Sequence, residues 1–256
     1  KEHFPGFFDL KELVQWDESK QRITASESQF FGRISFSKKP LPKPSSAAMA
    51  EVWKQQIKKK GIQALPLNER AQQLIKRVKL LNEANSLSKQ GSEFPDFSDA
   101  TLLENTDNWL LPFLENRNSW QALTNLSFYQ LLSQQMNYQQ MKMLDTLLPE
   151  SIAIPTGRKA AINYNDEGKA ILSVRMQELY GLKQHPSLLN GKLNITCELL
   201  SPAQRPLQTT EDLIGFWRGT YKDVQKEMKG RYPRHFWPDD PENSPATAST
   251  KKRMQS

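Results

Sequence analysis

The chain has 256 residues, of which 37% are apolar, and its mean hydropathy of −0.69 predicts one or two domains with exposed linkers or tails. Its net charge of +7 favours an anionic partner, most simply nucleic acid, although mild basicity also serves solubility alone. One cysteine, Cys197, excludes a disulfide framework and a cysteine-cluster zinc site, and no apolar stretch is long enough to span a membrane, so a soluble cytoplasmic protein is expected.

Residues 1–44 predict β-strands followed by a proline-rich connector. Alternation in residues 33–37 places Ile34 and Phe36 on one face, which is typical of a half-buried strand. The run KPLPKP at residues 39–44 then breaks any regular structure. We hypothesise that residues 10–40 pair with the strands after residue 150. The chain begins at Lys1 rather than at a methionine, so we expect a piece of a longer protein.

Residues 45–149 predict a helical domain. The first helix is expected to run from Ser45 or Ser46 to Lys60 and to stop at Gly61. Later helices are expected from Asn68, from near Ser98 and over residues 127–148, each with apolar residues at spacings of three and four. Such stripes are more typical of a core than of a ligand pocket.

Residues 150–240 predict a β-rich domain with two short helices. Asn165 to Lys169 is expected to form a hairpin turn, although Asp166 and Glu167 also resemble an acidic metal-binding box. Short strands separated by Gly and Asn turns predict a small antiparallel, OB-like barrel. Residues 211–217 and 220–229 look helical, and residues 241–256 predict a disordered tail. The expected fold class is therefore α+β, a helical bundle flanked by small barrel-like β elements.

Cations and aromatic residues alternate between residues 200 and 241. Such a surface can attract phosphates and stack on bases. The competing interpretation is structural: Trp217, Tyr221 and Trp237 anchor a core, while Arg218 and Arg231 pair with nearby acids. The acids considered for this pairing are Glu211, Asp212, Glu227 and Asp239.

The sequence offers little support for an independent enzyme. Neither Gly168-Lys169 nor Gly191-Lys192 is followed by Ser or Thr, so no P-loop is present. His235 with Asp239 and Asp240 could be drawn as a hydrolytic site, but no nucleophile accompanies them. We therefore expect no catalytic, cofactor-binding or metal-binding residues in this chain.

Several motifs resemble the carboxy-terminal region of the HrpB-type DExH-box helicase family. They are IPTG (154–157), VRMQELYGL (174–182), LSPAQRPLQ (200–208), GFWRGTY (215–221), KEMKGRYPRH (226–235) and WPDDP (237–241). Residues 31–42 resemble the family's strand upstream of its helical part, so the similarity extends over nearly the whole chain.

The resemblance implies the non-motor end of a bacterial ATP-dependent RNA helicase, whose RecA-like motor domains, with ATP and Mg²⁺, lie upstream. The implied partners are single-stranded nucleic acid, most simply RNA, and the motor itself; a protein-docking module is the alternative. The candidate contact residues are Arg158, Lys159, Arg175, Arg205, Arg218, Lys222, Arg231 and Arg234.

Overall fold

The structure, a computed structural model, describes residues 8–31, 34–87 and 94–250. Two compact units are present: unit 1 contains the described residues up to Ile75 together with residues 94–137, and unit 2 contains residues 76–87 and 138–250. No helix among these residues is long and apolar enough to cross a membrane.

The helices and strands follow one another as β, then α, then β with two final helices. The helices are α1 (Ser46–Lys60), α2 (Glu69–Leu87), α3 (Asp99–Glu104), α4 (Thr106–Trp109), α5 (Phe128–Ser133), α6 (Tyr138–Leu147), α7 (Leu213–Arg218) and α8 (Tyr221–Arg231). The strands are β1 (Phe8–Asp17), β2 (Arg22–Phe31), β3 (Ile34–Pro40), β4 (Ser151–Ala153), β5 (Lys159–Ala161), β6 (Asn163–Tyr164), β7 (Ala170–Arg175), β8 (Ser187–Leu188), β9 (Leu193–Asn194), β10 (Thr196–Leu200) and β11 (Pro206–Thr210).

Unit 1 combines a three-stranded antiparallel sheet, β1-β2-β3, with short helices. Its core contains Trp53, which is fully buried, with Trp16 and Trp120 at ring-centroid distances of 5.6 and 6.1 Å. The indole N–H of Trp53 donates to the Arg117 carbonyl at 2.9 Å, which ties α1 to the loop before Trp120. Burial of aromatic rings therefore holds this unit together.

The helix predictions for unit 1 are partly confirmed. Helix α1 begins after Ser45, whose hydroxyl accepts from the Ala48 amide, and ends at Gly61 with φ +80°. The helix predicted from Ser98 is instead divided into α3, α4 and a 3₁₀ turn, Leu111–Phe113. The helix predicted over residues 127–148 is likewise interrupted between α5 and α6.

Unit 2 contains a four-stranded mixed sheet with the order β11-β10-β7-β6. Strands β7 and β10 are parallel, while β11 and β6 pair antiparallel at the two edges. Two small antiparallel pairs, β4-β5 and β8-β9, complete the β-structure. The predicted hairpin turn is present before β7, where the Asn165 side chain accepts from the amides of Glu167 and Lys169.

The predicted antiparallel, OB-like barrel is not confirmed. Among the described residues the strands form separate small sheets, none of which closes, because β11 and β6 remain as edges. The hypothesis that residues 10–40 join the later strands is wrong for the described part of the chain, since β1, β2 and β3 pair only with one another as a sheet. The fold is a mixed α/β arrangement of small sheets and several helices.

The predicted domain limits at residues 44, 149 and 240 differ from the limits of the two units. The tail predicted from residue 241 is corrected for residues 241–250, because they are held in unit 2. The Thr247 amide donates to the Gln177 carbonyl at 2.9 Å, and the Thr247 side chain is buried. Residues 251–256 of that predicted tail lie outside the described residues.

Candidate nucleic-acid interface

Two of the predicted basic residues line one pocket of unit 2, and two more directly follow lining residues in the chain. Strand β7 ends at Arg175, which pairs with Leu200 at the end of the parallel strand β10. The pocket there has a volume of about 450 Å³ and its lining includes Arg158, Arg175, Glu178, Gln204 and Ala248. Lys159 follows Arg158 at the start of β5, and Arg205 follows Gln204 in the turn before β11. We call Arg158, Lys159, Arg175 and Arg205 the pocket group.

Glu178 organises this pocket. Its carboxylate accepts from Arg158 Nε at 2.7 Å and from Arg158 Nη2 at 2.8 Å, and the Arg175 amide donates to it at 3.2 Å. Burial alone would raise the pKa of Glu178, but the hydrogen bonds and charge of Arg158 outweigh it and hold that pKa below the usual range. The same contact raises the pKa of Arg158. The pair fixes the Arg158 guanidinium, whose remaining N–H groups can donate to an anion.

Lys159 and Arg205 are exposed, as is Arg158. Within the part of the chain that the structure describes, Lys159 and Arg205 take part in no ion pair, whereas Arg158 pairs with Glu178. Arg175 is half-buried and contacts the Ala248 carbonyl at 3.5 Å, a long distance for a hydrogen bond. The pocket therefore presents the guanidinium groups of Arg158 and Arg175, and Lys159 and Arg205 adjoin its lining residues in the chain.

The other four candidates belong to α7, α8 and the segment after α8. Arg218 forms a two-point contact with Glu242 at 2.9 and 3.0 Å, and Arg231 lies 3.8 Å from Glu227. Glu227 is one of the acids that the sequence predicted as a partner of these arginines, whereas Glu242 is not. The remaining two, Lys222 and Arg234, are exposed. We call Arg218, Lys222, Arg231 and Arg234 the helical group.

The aromatic residues of this region form a core, so the structural interpretation of Trp217, Tyr221 and Trp237 is confirmed. Each is at most 3% exposed. Trp217 and Tyr221 both pack on Tyr180, with ring centroids 5.7 and 6.2 Å away. The hydroxyl of Tyr221 donates to the Pro238 carbonyl at 2.8 Å. Because these rings are covered, they offer no face on which a base could stack.

Two acidic residues of this surface were not foreseen from the sequence. Glu178 comes three residues after Arg175, a spacing at which a side chain reaches back to a backbone amide, and this local signal was available. Glu242 had no such signal, because it lies in a segment that composition alone assigned to a disordered tail. Its pKa is lowered by the hydrogen bonds from Arg218.

The alternative catalytic arrangement does not form. Asp239 accepts from Gln225 at 2.9 Å and from Lys229 at 3.1 Å, and Asp240 accepts from Asn243, so their hydrogen bonds in the described region lead away from His235. Partial burial and the nearby charge of Arg175 lower the pKa of His235. In the described ranges no group of three or more His, Cys, Asp or Glu side chains could hold a metal ion.

In structural terms, unit 2 is a mixed α/β module with cationic side chains gathered at the end of a small sheet. The family model described as "ATP-dependent helicase C-terminal" (HrpB_C) matches residues 109–241, slightly more than half of the chain. The chain therefore belongs to the HrpB C-terminal family and corresponds to the C-terminal region of an HrpB-type ATP-dependent helicase.

Known proteins agree with this assignment. The chain is 38% identical over 248 residues to the ATP-dependent RNA helicase HrpB of Escherichia coli strain K12, covering 97% of this chain and 30% of that protein. It also resembles two crystal structures. The E. coli DExH-box NTPase HrpB gives a TM-score of 0.76 at 36% identity, covering 97% of this chain and 30% of that one. The Escherichia coli DEAH/RHA helicase HrpB gives 0.66 at 34% identity, covering 91% and 29%.

Proposed function

We propose that this chain is an accessory region of an ATP-dependent RNA helicase and that the pocket group contacts the phosphate backbone of single-stranded nucleic acid, most simply RNA. The observation that carries the proposal is a pocket lined by Arg158 and Arg175, with Lys159 and Arg205 each directly following a lining residue in the chain. In this proposal hydrolysis of ATP with Mg²⁺ belongs to RecA-like motor domains, and the chain itself carries no cofactor and catalyses no reaction.

Contacts of this kind suit a helicase accessory region. A translocating motor needs a hold on its strand that does not depend on base sequence, and phosphate contacts supply affinity without reading bases. The burial of Trp217 and Tyr221 removes two base-stacking candidates, so the expected affinity comes mainly from charge. The expected binding is therefore sequence-tolerant and weakens steeply as salt rises.

The test is binding of the 256-residue chain to fluorescent single-stranded RNA over a series of salt concentrations. Lys159→Ala and Arg205→Ala change exposed side chains, so the double variant is expected to keep its thermal stability. If each contacts one phosphate, the double variant lowers the slope of log affinity against log salt by about 1.4. Lys192→Ala, which removes an exposed lysine from the β8-β9 turn, is the matched control and leaves the slope unchanged.

Absence of salt-dependent RNA binding by the wild-type chain would overturn the proposal. Equal effects of Lys192→Ala and Arg205→Ala on RNA affinity would also contradict it, because the affinity would then follow net charge rather than the pocket.

A second candidate function, docking to the rest of the helicase, is favoured by a different observation. On α6, Tyr138 is 79% exposed and Met143 is 44% exposed, and both are large apolar side chains. The chain spans 30% of the length of its E. coli relative, and the remainder of such a helicase is the proposed docking partner. Tyr138→Ser with Met143→Ser is then expected to weaken association with the separately produced motor domains, while RNA affinity stays unchanged.

A further inference from the structure

An acidic segment of unit 2, Asp239-Asp240-Pro241-Glu242, lies against basic side chains of the helical region. Glu242 accepts two hydrogen bonds from Arg218, at 2.9 and 3.0 Å, and Asp239 contacts Lys229 at 3.1 Å. The charge of Lys183 also acts on both Asp240 and Glu242 and helps to lower the pKa of each carboxyl. Three negative charges within four residues therefore face cations from three parts of the unit.

The cations of α8 form a row. Lys222, Lys226 and Lys229 follow one another at spacings of four and three, so they lie on one side of the helix, and all three are exposed. Tyr221 and Met228 occupy the buried side of the same helix. Lys229, at one end of the row, contacts Asp239 at 3.1 Å, which places that end beside the acidic segment, and the charge of Lys222 also helps to lower the pKa of Asp239.

We propose that Arg218 and the lysine row of α8 form a second phosphate-binding surface, and that residues 239–242 occupy part of it as an internal competitor of nucleic acid. This inference rests on the proposed function of the pocket group and extends it to residues Lys226 and Lys229. Carboxylates spaced along one segment present charge to Arg and Lys much as successive phosphates do. A nucleic acid that binds here has to displace Glu242 from Arg218.

The contacts of residues 239–242 allow a nucleic acid to take the place of Glu242 at Arg218. The Arg218 side chain is 70% exposed, whereas that of Glu242 is 19% exposed, so the guanidinium stays open to solvent and a phosphate can reach it from that side. The segment stays attached beyond these ion pairs, because the Gly181 amide donates to the Pro241 carbonyl at 2.9 Å and Thr247 is buried. Its effective concentration at the surface is therefore high, and it lowers RNA affinity without preventing binding.

The experiment compares the binding of single-stranded RNA by the 256-residue wild type, Glu242→Gln and the matched control Glu167→Gln. Both substitutions remove one negative charge, but Glu167 lies in the exposed hairpin turn before β7. Glu242→Gln is expected to raise the affinity by about 2- to 5-fold over the control, which corresponds to the loss of one partly exposed ion pair. Asp239→Asn, which frees Lys229, is expected to act in the same direction.

A double-mutant cycle with Arg218→Ala separates competition from general electrostatics. If Glu242 competes by holding Arg218, Glu242→Gln gives no gain over Glu167→Gln in the Arg218→Ala background. Equal gains from Glu242→Gln and Glu167→Gln in the wild-type background would overturn the inference while the proposed function stands. If Glu242→Gln does not fold, the gain of Asp239→Asn over Glu167→Gln decides instead, because Asp239 holds Lys229. If no variant binds RNA, both proposals are refuted.

Discussion

Glu178 and Arg158 are joined by two hydrogen bonds, yet their exposures differ strongly: the Glu178 side chain is 5% exposed and the Arg158 side chain 46%. A carboxylate that is nearly buried depends on its partner more than an exposed guanidinium does, because water cannot replace the lost contact. The pair therefore has two effects, one on the stability of unit 2 and one on the orientation of Arg158 in the pocket.

Glu178→Gln is expected to destabilise the chain by about 1–3 kcal/mol, since it removes the charge from a two-point contact that is buried on one side. Urea denaturation at pH 7 measures this difference. Glu227→Gln is the matched control, because Glu227 pairs with Arg231 at 3.8 Å and both side chains are well exposed; a change of less than about 0.5 kcal/mol is expected there. Similar losses for the two variants would contradict the dependence on burial.

The stabilising contribution of Glu178 is also expected to depend on pH. Its pKa in the folded chain lies below the ordinary value of 4.5, although burial alone acts in the opposite direction. The folded state thus binds the proton less readily than the unfolded state, and the contribution is complete above about pH 4.5. As the pH falls through the folded pKa, the contribution is lost. The difference in unfolding free energy between wild type and Glu178→Gln should therefore shrink as the pH falls below about 4.5, whereas a constant difference would disprove the linkage.

Local features of the fold were predictable from the sequence. Ser45 and Gly61 mark the two ends of α1 because a hydroxyl cap and a positive-φ glycine act within a few residues. The Asn165 turn follows from side-chain hydrogen bonds to adjacent amides. The burial of Cys197, at 0% exposure, follows from the alternation of its strand.

The remaining features depend on contacts between distant residues. The parallel pairing of β7 with β10, in which Val174 lies opposite Leu199, has no signature in either strand alone. The antiparallel expectation was therefore wrong at the centre of the sheet, and with it the barrel. The basic residues of the pocket stay predicted contacts, and the partner of Arg158 lies 20 residues away and becomes visible only in the folded chain.

Among the basic residues of unit 2, Arg77 is expected to cause the largest loss of stability when it is replaced. Its side chain is 1% exposed, and its Nε donates to the Leu148 carbonyl at the end of α6 at 2.6 Å, while Nη2 lies 2.5 Å from Asp145. Arg77→Met removes a cation from a helix carboxyl end and leaves this carbonyl without that donor, so a loss of about 3 kcal/mol is expected. Arg77→Lys keeps the charge but not the planar fork, and an intermediate loss is expected.

Thermal or urea denaturation measures both Arg77 variants. Lys142→Met serves as the control, since it removes an exposed cation from α6 itself and is expected to change stability by less than about 0.5 kcal/mol. A loss from Arg77→Met no larger than the control would show that the buried contacts do not stabilise the unit.

Trp217→Phe separates the core interpretation of the aromatic residues from base stacking. Trp217 is 3% exposed and packs on Tyr180 and Phe216, so the smaller ring is expected to cost about 1–3 kcal/mol of stability. Because the indole face is covered, the affinity for single-stranded RNA should stay within about 2-fold of wild type at a temperature where both proteins are folded. Lys159→Ala is the complementary variant, with lower RNA affinity and unchanged stability. A large loss of affinity from Trp217→Phe without unfolding would restore the stacking interpretation.

Cys197 provides a test of the burial of β10, and its signal is unambiguous because the chain has a single cysteine. The thiol lies at 0% exposure between β7 and β11, and burial raises its pKa to about 12. Thiol reagents attack the thiolate, which is scarce at pH 8 in this environment and also out of reach. Native protein should therefore react with a disulfide reagent at least about 10³-fold more slowly than the same protein in 6 M guanidinium. Reaction of the native chain at the unfolded rate would show that the β7-β10-β11 sheet does not protect its centre in solution.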